Sequence, residues 1–147
     1  MSADLSAAER RVLDAIDETE LVATLVELVR TPSVTGTDAE ADLQHTVARW
    51  FEEAGLEVDL WALDLDDLRA DPDFPGTEAP RLEGHGLVGT ASGEGDPGLV
   101  LQGHVDVVPV GDVENWHEGD PFSARIDGGV LHGRGACWWV VAPRRPG

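Results

Sequence analysis

The stretch LVLQGHVDVVP, from Leu99 to Pro109, constrains the fold of this chain more than any other part of the sequence. Leu and Val fall on both faces of this segment, which is typical of a strand covered on both sides in an α/β sheet. His104 and Asp106 interrupt the run, and burying an imidazole or a carboxylate is costly unless each has a partner. We therefore predict a buried strand over Leu99–Val108 with both polar side chains used in a site at its carboxyl end.

His104 and Asp106 are two residues apart, so on a strand they project to the same side of the sheet. A carboxylate often holds the second ring nitrogen of a metal-binding histidine. A local contact between His and Asp also occurs as a purely structural feature. The spacing alone leaves both interpretations open. We expect surface, loop or packing roles for the remaining histidines, which are His45, His85, His117 and His132.

Two stretches carry the apolar periodicity of helices. Residues 7–30 predict one long amphipathic helix, or two helices with a break near Thr19. Thr37 and Glu40 form a capping-box pattern ahead of a second apolar stripe, which Gly55 closes.

Strand patterns alternate with these helices along the chain. They cover residues 56–62, 86–92 and a hairpin within 124–133, where Asp127-Gly128 suits a tight turn. Acids and prolines between residues 64 and 84 predict a long surface excursion, to which we assign no chemistry. The order of helices and strands predicts an α/β fold.

The charge of the chain excludes several classes of partner. The 147 residues hold 29 Asp and Glu against 10 basic residues, all of them Arg, for a net charge of −19. Such a chain repels nucleic-acid phosphates and anionic membranes. The acids are spread over many segments, which resembles a protein adapted to a salt-rich cytoplasm. Cys137 is the single cysteine, which agrees with a reducing compartment. No apolar run approaches the length of a membrane span and no export signal is visible, so we expect a soluble, cytoplasmic protein.

Several motifs follow one another in an order that resembles a known enzyme family. They are GHVDVVPVG, then Trp116 and Pro121-Phe122 within NWHEGDPF, then DGGVLHGRGAC. The same succession is found in the zinc-dependent amidohydrolases and peptidases that include acetylornithine deacetylase, succinyl-diaminopimelate desuccinylase, aminoacylase and glutamate carboxypeptidase. The resemblance spans roughly Glu9 to Cys137. It implies the amino-terminal part of a three-layer aminopeptidase-like α/β domain with a mixed sheet.

The resemblance also implies a chemistry and roles for two residues. His104 stands at the position of a ligand to one of two zinc ions, and Asp106 at that of the catalytic aspartate which orients this ligand. Cobalt or manganese are alternatives to zinc. The reaction implied is hydrolysis of the amide bond in an N-acyl amino acid or small peptide, and the acidic excursion is most similar to the acetylornithine deacetylase and desuccinylase branch.

The resemblance stops at Trp138, which stands where the family has the aspartate that bridges the two metals. We therefore divide the chain into residues 1–137, the amino-terminal part of a catalytic domain, and residues 138–147, a tail outside the family pattern, with no dimerisation domain. The tail is either a true terminus or an out-of-frame translation, and its composition favours the second. We expect weak zinc binding and no activity from this chain alone. The alternative is a non-catalytic remnant that serves as a binding module; the oligomeric state stays open.

Overall fold

The computed structural model describes residues 5–93, 95 and 98–136. The helices are α1 (Ala7–Asp14), α2 (Glu18–Arg30), α3 (Asp38–Glu53) and α4 (Leu65–Ala70). The strands are β1 (Glu57–Ala62), β2 (His85–Thr90), β3 (Arg125–Asp127) and β4 (Val130–His132), and two short 3₁₀ turns cover Val113–Asn115 and His117–Gly119. The α/β class predicted from the sequence is confirmed.

The amino-terminal helical stretch is broken, close to the position that the sequence suggested. α1 ends at Asp14, and α2 begins after Asp17, whose carboxylate accepts hydrogen bonds from the backbone N–H groups of Thr19 and Glu20. An aspartate in this position satisfies N–H groups that have no partner within the helix, so it starts a new helix. The chain leaves α2 at Thr31, just before Pro32, as expected.

Helix α3 packs on the antiparallel pair β1–β2 and forms the main packed layer. The register pairs Glu57 with Thr90 and Ala62 with His85. A Cβ atom at Gly89 in β2 would lie 2.5 Å from a ring carbon of Phe51, so the helix approaches the strand closely. The residues of α3 that are buried are apolar: Ala41, Leu43 and Ala48.

The start of α3 differs in detail from the predicted capping box. Thr37 is the N-cap residue, but its hydroxyl donates to the carbonyl of Val34 at 2.6 Å instead of accepting from the helix. The carboxylate of Glu40 accepts from the backbone N–H of Gly36 at 2.6 Å, one residue before the expected partner. Both side chains therefore bond to the turn that precedes α3 and do not form the reciprocal bonds of a capping box.

The segment Leu99–Val108 does not form the predicted strand covered on both faces. Its only strand-like pairing within the described residues is a parallel bridge between Val107 and Val34. Leu99, Val100 and Leu101 are 58 %, 65 % and 71 % exposed. A strand forms only where a neighbour accepts its backbone hydrogen bonds, and the described chain lies beside this segment only near Val107.

The described strands make two separate two-stranded antiparallel sheets, β1–β2 and β3–β4. The parallel pairing that the structure describes is the bridge between Val34 and Val107. The described strands therefore do not form one continuous mixed sheet. The β3–β4 hairpin turns at Gly128 and Gly129, which have φ of +57° and +81°. The positive φ values thus begin one residue later than Asp127. No helix in the described part of the chain has the length and apolar character to cross a membrane.

Candidate active site

His104 and Asp106 lie side by side, as their spacing predicted. The Nδ1 atom of His104 is 3.0 Å from the Oδ1 atom of Asp106 and 3.0 Å from its backbone oxygen. The His104 side chain is 71 % exposed and that of Asp106 is 30 % exposed. The arrangement therefore joins a half-buried carboxylate to an imidazole that faces solvent. The metal and catalytic roles of the two residues remain predictions.

The loop that follows α2 makes hydrogen bonds to the backbone on both sides of Asp106. Ser33, which is 1 % exposed, donates its hydroxyl to the carbonyl of Val105 at 2.7 Å. The backbone N–H of Val107 donates to the carbonyl of Ser33 at 2.9 Å, and the N–H of Thr35 donates to the carbonyl of Val107 at 3.0 Å. These bonds join segments 72 residues apart in sequence and fix the backbone on both sides of Asp106.

Thr35 also contacts Asp106 through its side chain. Its hydroxyl oxygen is 2.8 Å from the Oδ2 atom of Asp106 and 3.2 Å from the carbonyl of Val107. The sequence does not single out Thr35 or Ser33, because nothing in TPSVTG indicates a partner so far along the chain. The only local signal is two hydroxyl residues two positions apart, which an extended segment turns to one side.

A cleft of about 730 Å³ opens next to the pair. Its volume lies within the range of small-molecule sites. His104, Asp106 and Thr35 line it together with residues of the acidic excursion, among them Phe74 and Arg81. The excursion, to which the sequence assigned no chemistry, therefore forms one wall of the candidate site.

A salt bridge ties this wall to the start of α3. Arg81 donates to Oε1 of Glu40 at 3.0 Å, and the two side chains are only 19 % and 14 % exposed. Glu40 also accepts from the N–H of Gly36 through its other oxygen. Gly36 has φ of +84°, and a Cβ atom there would lie 2.5 Å from the carbonyl oxygen of Pro80. The excursion, the loop and α3 thus meet beside Thr35.

Several motif residues that carried the resemblance pack on one another, and one of them, Arg134, lines the cleft. The guanidinium of Arg134 lies 4.8 Å from the centre of the Trp116 ring, a cation–π distance. The carbonyl of Val110 accepts from Trp116 Nε1 at 2.9 Å and from Arg134 Nη2 at 3.3 Å. Arg134 also donates its backbone N–H to Pro121 at 2.7 Å. Arg134 therefore joins these motif residues to the cleft, which it also lines.

The other histidines lie apart from this pair. His45 and His85 pack edge to face on each other, with ring centres 4.8 Å apart. His117 lies 3.9 Å from Glu118, and His132 is exposed on β4. Within the described part of the chain, no three or more His, Cys, Asp or Glu side chains are grouped to hold a metal ion. Cys137, at which the resemblance ends, and Trp138, the predicted departure from the family pattern, lie outside the described residues.

Comparison with known proteins gives a family match and several similar proteins. Residues 100–138 match peptidase family M20/M25/M40. A succinyl-diaminopimelate desuccinylase of Xanthobacter autotrophicus is 38 % identical over 115 residues, covering 78 % of this chain and 26 % of that protein. The enzyme of the same name from Stenotrophomonas maltophilia is 41 % identical over 112 residues, 76 % of this chain and 24 % of that protein. The chain therefore spans about a quarter of the length of these relatives.

Proposed function

Because this chain belongs to peptidase family M20/M25/M40, we propose that it supplies the amino-terminal part of the catalytic domain of a metal-dependent amide hydrolase. The substrate that we propose is an N-acyl amino acid with a succinyl-type acyl group, as the names of the similar proteins suggest. The observation that carries the proposal is the His104–Asp106 pair, which lies inside the matched residues 100–138 and lines the cleft.

The donor chemistry of the pair fits one corner of a metal site. Zinc is bound by neutral imidazole, and a carboxylate on the other ring nitrogen sets the tautomer and orientation of the ring. Here Nδ1 of His104 faces Asp106, so Nε2 is the nitrogen that would bind the metal. A bound zinc, cobalt or manganese ion would act as a Lewis acid toward the amide carbonyl and would lower the pKa of water. Further ligands are required beyond this pair, since zinc sites use about four.

The cationic groups of the cleft support the choice of substrate. Arg81 and Arg134 line the same cleft as His104 in a chain of net charge −19. Guanidinium groups recognise carboxylates through charge-assisted hydrogen bonds. An N-succinyl amino acid carries a carboxylate on each side of its amide bond. The charge of Arg81 is already paired with Glu40, so Arg134, whose described side-chain partners are neutral, is the arginine that would hold a substrate carboxylate.

The test is a chimera in which residues 1–136 of this chain replace the corresponding part of the Xanthobacter autotrophicus enzyme. We expect it to release succinate from N-succinyl-diaminopimelate in a metal-dependent reaction. His104→Ala should abolish turnover, because it removes a metal ligand. Asp106→Ala should lower kcat/KM by about 10- to 100-fold, which is typical when the group that holds a metal-ligating histidine is lost.

The matched control is His132→Ala, which removes an exposed histidine that does not line the cleft. This variant should leave turnover unchanged. An active chimera whose rate is insensitive to His104→Ala would contradict the proposal. Metal-dependent turnover by the 147-residue chain alone, abolished by the same substitution, would contradict the view that this chain supplies only part of the site.

A further inference from the structure

We propose that Thr35 is a positioning residue for the candidate site, because its hydroxyl fixes the Asp106 carboxylate that orients the ring of His104. The three side chains form a relay of two short contacts: Thr35 Oγ1 to Asp106 Oδ2 at 2.8 Å, and Asp106 Oδ1 to His104 Nδ1 at 3.0 Å. The inference rests on the proposed function in one respect: it takes this pair as the working part of the site.

The hydroxyl of Thr35 has two acceptors within reach but only one proton. The carbonyl of Val107 is 3.2 Å away, whereas Oδ2 of Asp106 is 2.8 Å away and belongs to a carboxylate. Hydrogen bonds to ionised acceptors are shorter and about twice as strong as neutral ones. The proton of Thr35 is therefore directed to Asp106.

A fixed carboxylate matters because it is the side-chain acceptor that faces Nδ1 of His104, next to the backbone oxygen of Asp106, which is also 3.0 Å from Nδ1. Rotation about the last torsion of an aspartate is soft, so both oxygens need partners to hold the carboxylate plane. A carboxylate that accepts from Thr35 on one oxygen presents the other to Nδ1. It thereby favours the tautomer with the proton on Nδ1 and the metal-binding lone pair on Nε2.

The position of Thr35 does not depend on its own side chain. Its backbone N–H donates to Val107, and the neighbouring Ser33 makes two further bonds to the same segment. Thr35→Val therefore removes the hydroxyl and keeps the branched shape and every one of these bonds. Thr35→Ser keeps the hydroxyl and removes one methyl group. The two variants separate the hydrogen bond from packing.

The test records the ring-nitrogen NMR signals of the ¹⁵N-labelled 147-residue chain at about pH 8.5, where histidine rings are generally neutral. In the wild-type chain and in Thr35→Ser, we expect the Nδ1 and Nε2 shifts of His104 to show the tautomer protonated on Nδ1. In Thr35→Val, these shifts should move part of the way toward a mixture of tautomers, because the backbone oxygen of Asp106, 3.0 Å from Nδ1, still accepts from it. The signals of His132 serve as an internal control and should not change in any variant.

A second readout is zinc affinity, measured by calorimetric titration of the same proteins. Thr35→Val should weaken zinc binding by about 10-fold, and Thr35→Ser should restore it, because the groups that hold a ligating histidine tune its basicity. A folded Thr35→Val chain with wild-type His104 ring shifts would overturn the proposal. If Thr35→Val does not fold, Thr35→Ala removes the same hydroxyl without the branched group and is judged by the same ring shifts.

The two readouts also separate this inference from the proposed function. Zinc binding that is unchanged by His104→Ala would contradict the metal role of His104. The ring shifts would still decide whether Thr35 orients the pair, since they are recorded without metal. A tautomer change in Thr35→Val together with zinc binding independent of His104 would support the positioning role and reject the metal site.

Discussion

Helix α3 and the pair α1–α2 have the same kind of sequence but very different surroundings. Both carry apolar residues at helical spacing, yet α3, which packs on the β1–β2 pair, buries Ala41, Leu43 and Ala48, while α1 buries no residue. In α2 only Val29 is buried, and Leu21 is 63 % exposed. Periodicity thus predicts where a helix forms and which of its faces is apolar. Whether that face is covered depends on which other segment reaches it.

The two regions differ in where their partners lie along the chain. The strands that cover α3 follow it within the described residues, and one short connection brings β1 back along the helix. Val29 is one point at which α2 meets the rest of the chain: a Cβ atom at Gly133 would lie 2.3 Å from its methyl carbon. The stability of the described structure should therefore reside in α3 and its strands and in the loop that follows α2.

The largest effect is expected from removing an apolar side chain in the covered helix. Leu43→Ala should lower the free energy of unfolding by about 2–5 kcal/mol, because Leu43 is 3 % exposed and its loss leaves a cavity. Leu21→Ala in the uncovered helix should change it by less than about 0.5 kcal/mol. Urea unfolding followed by circular dichroism measures both. Equal losses in the two variants would show that the face of α2 is covered in solution.

A smaller effect is expected at the loop that holds the site. Ser33→Ala removes the buried hydroxyl that donates to Val105 and leaves that carbonyl without this donor. The expected cost is about 1–3 kcal/mol of unfolding free energy. Thr46→Ala is the control: its hydroxyl makes an exposed bond to Asp42 one helical turn earlier, and alanine compensates through its higher helix propensity. A Ser33→Ala chain as stable as the Thr46→Ala chain would contradict the assigned importance of the loop.

The smallest effect is expected at the exposed helix α1. The pKa of the Glu9 carboxyl is lowered because this group forms hydrogen bonds with the side chain and with the backbone N–H of Ser6. A carboxyl whose pKa is lower in the folded state stabilises that state above its unfolded pKa and loses this contribution as pH falls through the folded pKa. The helical circular dichroism signal of the chain should therefore fall under acid, in part because α1 unfolds. Glu9→Gln should remove this component, and an acid titration identical in wild type and variant would contradict it.

The local part of the candidate site was predictable from the sequence, and the distant part was not. Spacing places His104 beside Asp106, because side chains two residues apart on an extended segment share a side. The family resemblance then implied roles for the pair as a metal ligand and a catalytic aspartate. Thr35 and Arg81 lie in stretches without a recognisable motif, and each reaches the site through a partner more than forty residues away along the chain. No periodicity or spacing encodes such a meeting.

The predicted strand over Leu99–Val108 also shows that sequence patterns do not reveal which distant segments meet. Its composition is typical of a strand covered on both faces, but composition does not supply the neighbour that accepts its hydrogen bonds. Within the described chain that neighbour is the short loop at Ser33–Thr35, so pairing is restricted to the bridge at Val107. The apolar residues at the beginning of the segment remain exposed as a result.

The sequence by itself determined the features that depend on neighbours a few residues apart: the helices and their breaks at Asp17 and Pro32, the β3–β4 hairpin, and the contact of His104 with Asp106. These follow from torsional preferences, capping and side-chain periodicity, all of which act locally. Tertiary structure alone decided which apolar faces are covered and that Thr35 supports Asp106. The reason is that burial and long-range hydrogen bonds depend on where distant segments meet in space, and that meeting is a property of the whole packed chain.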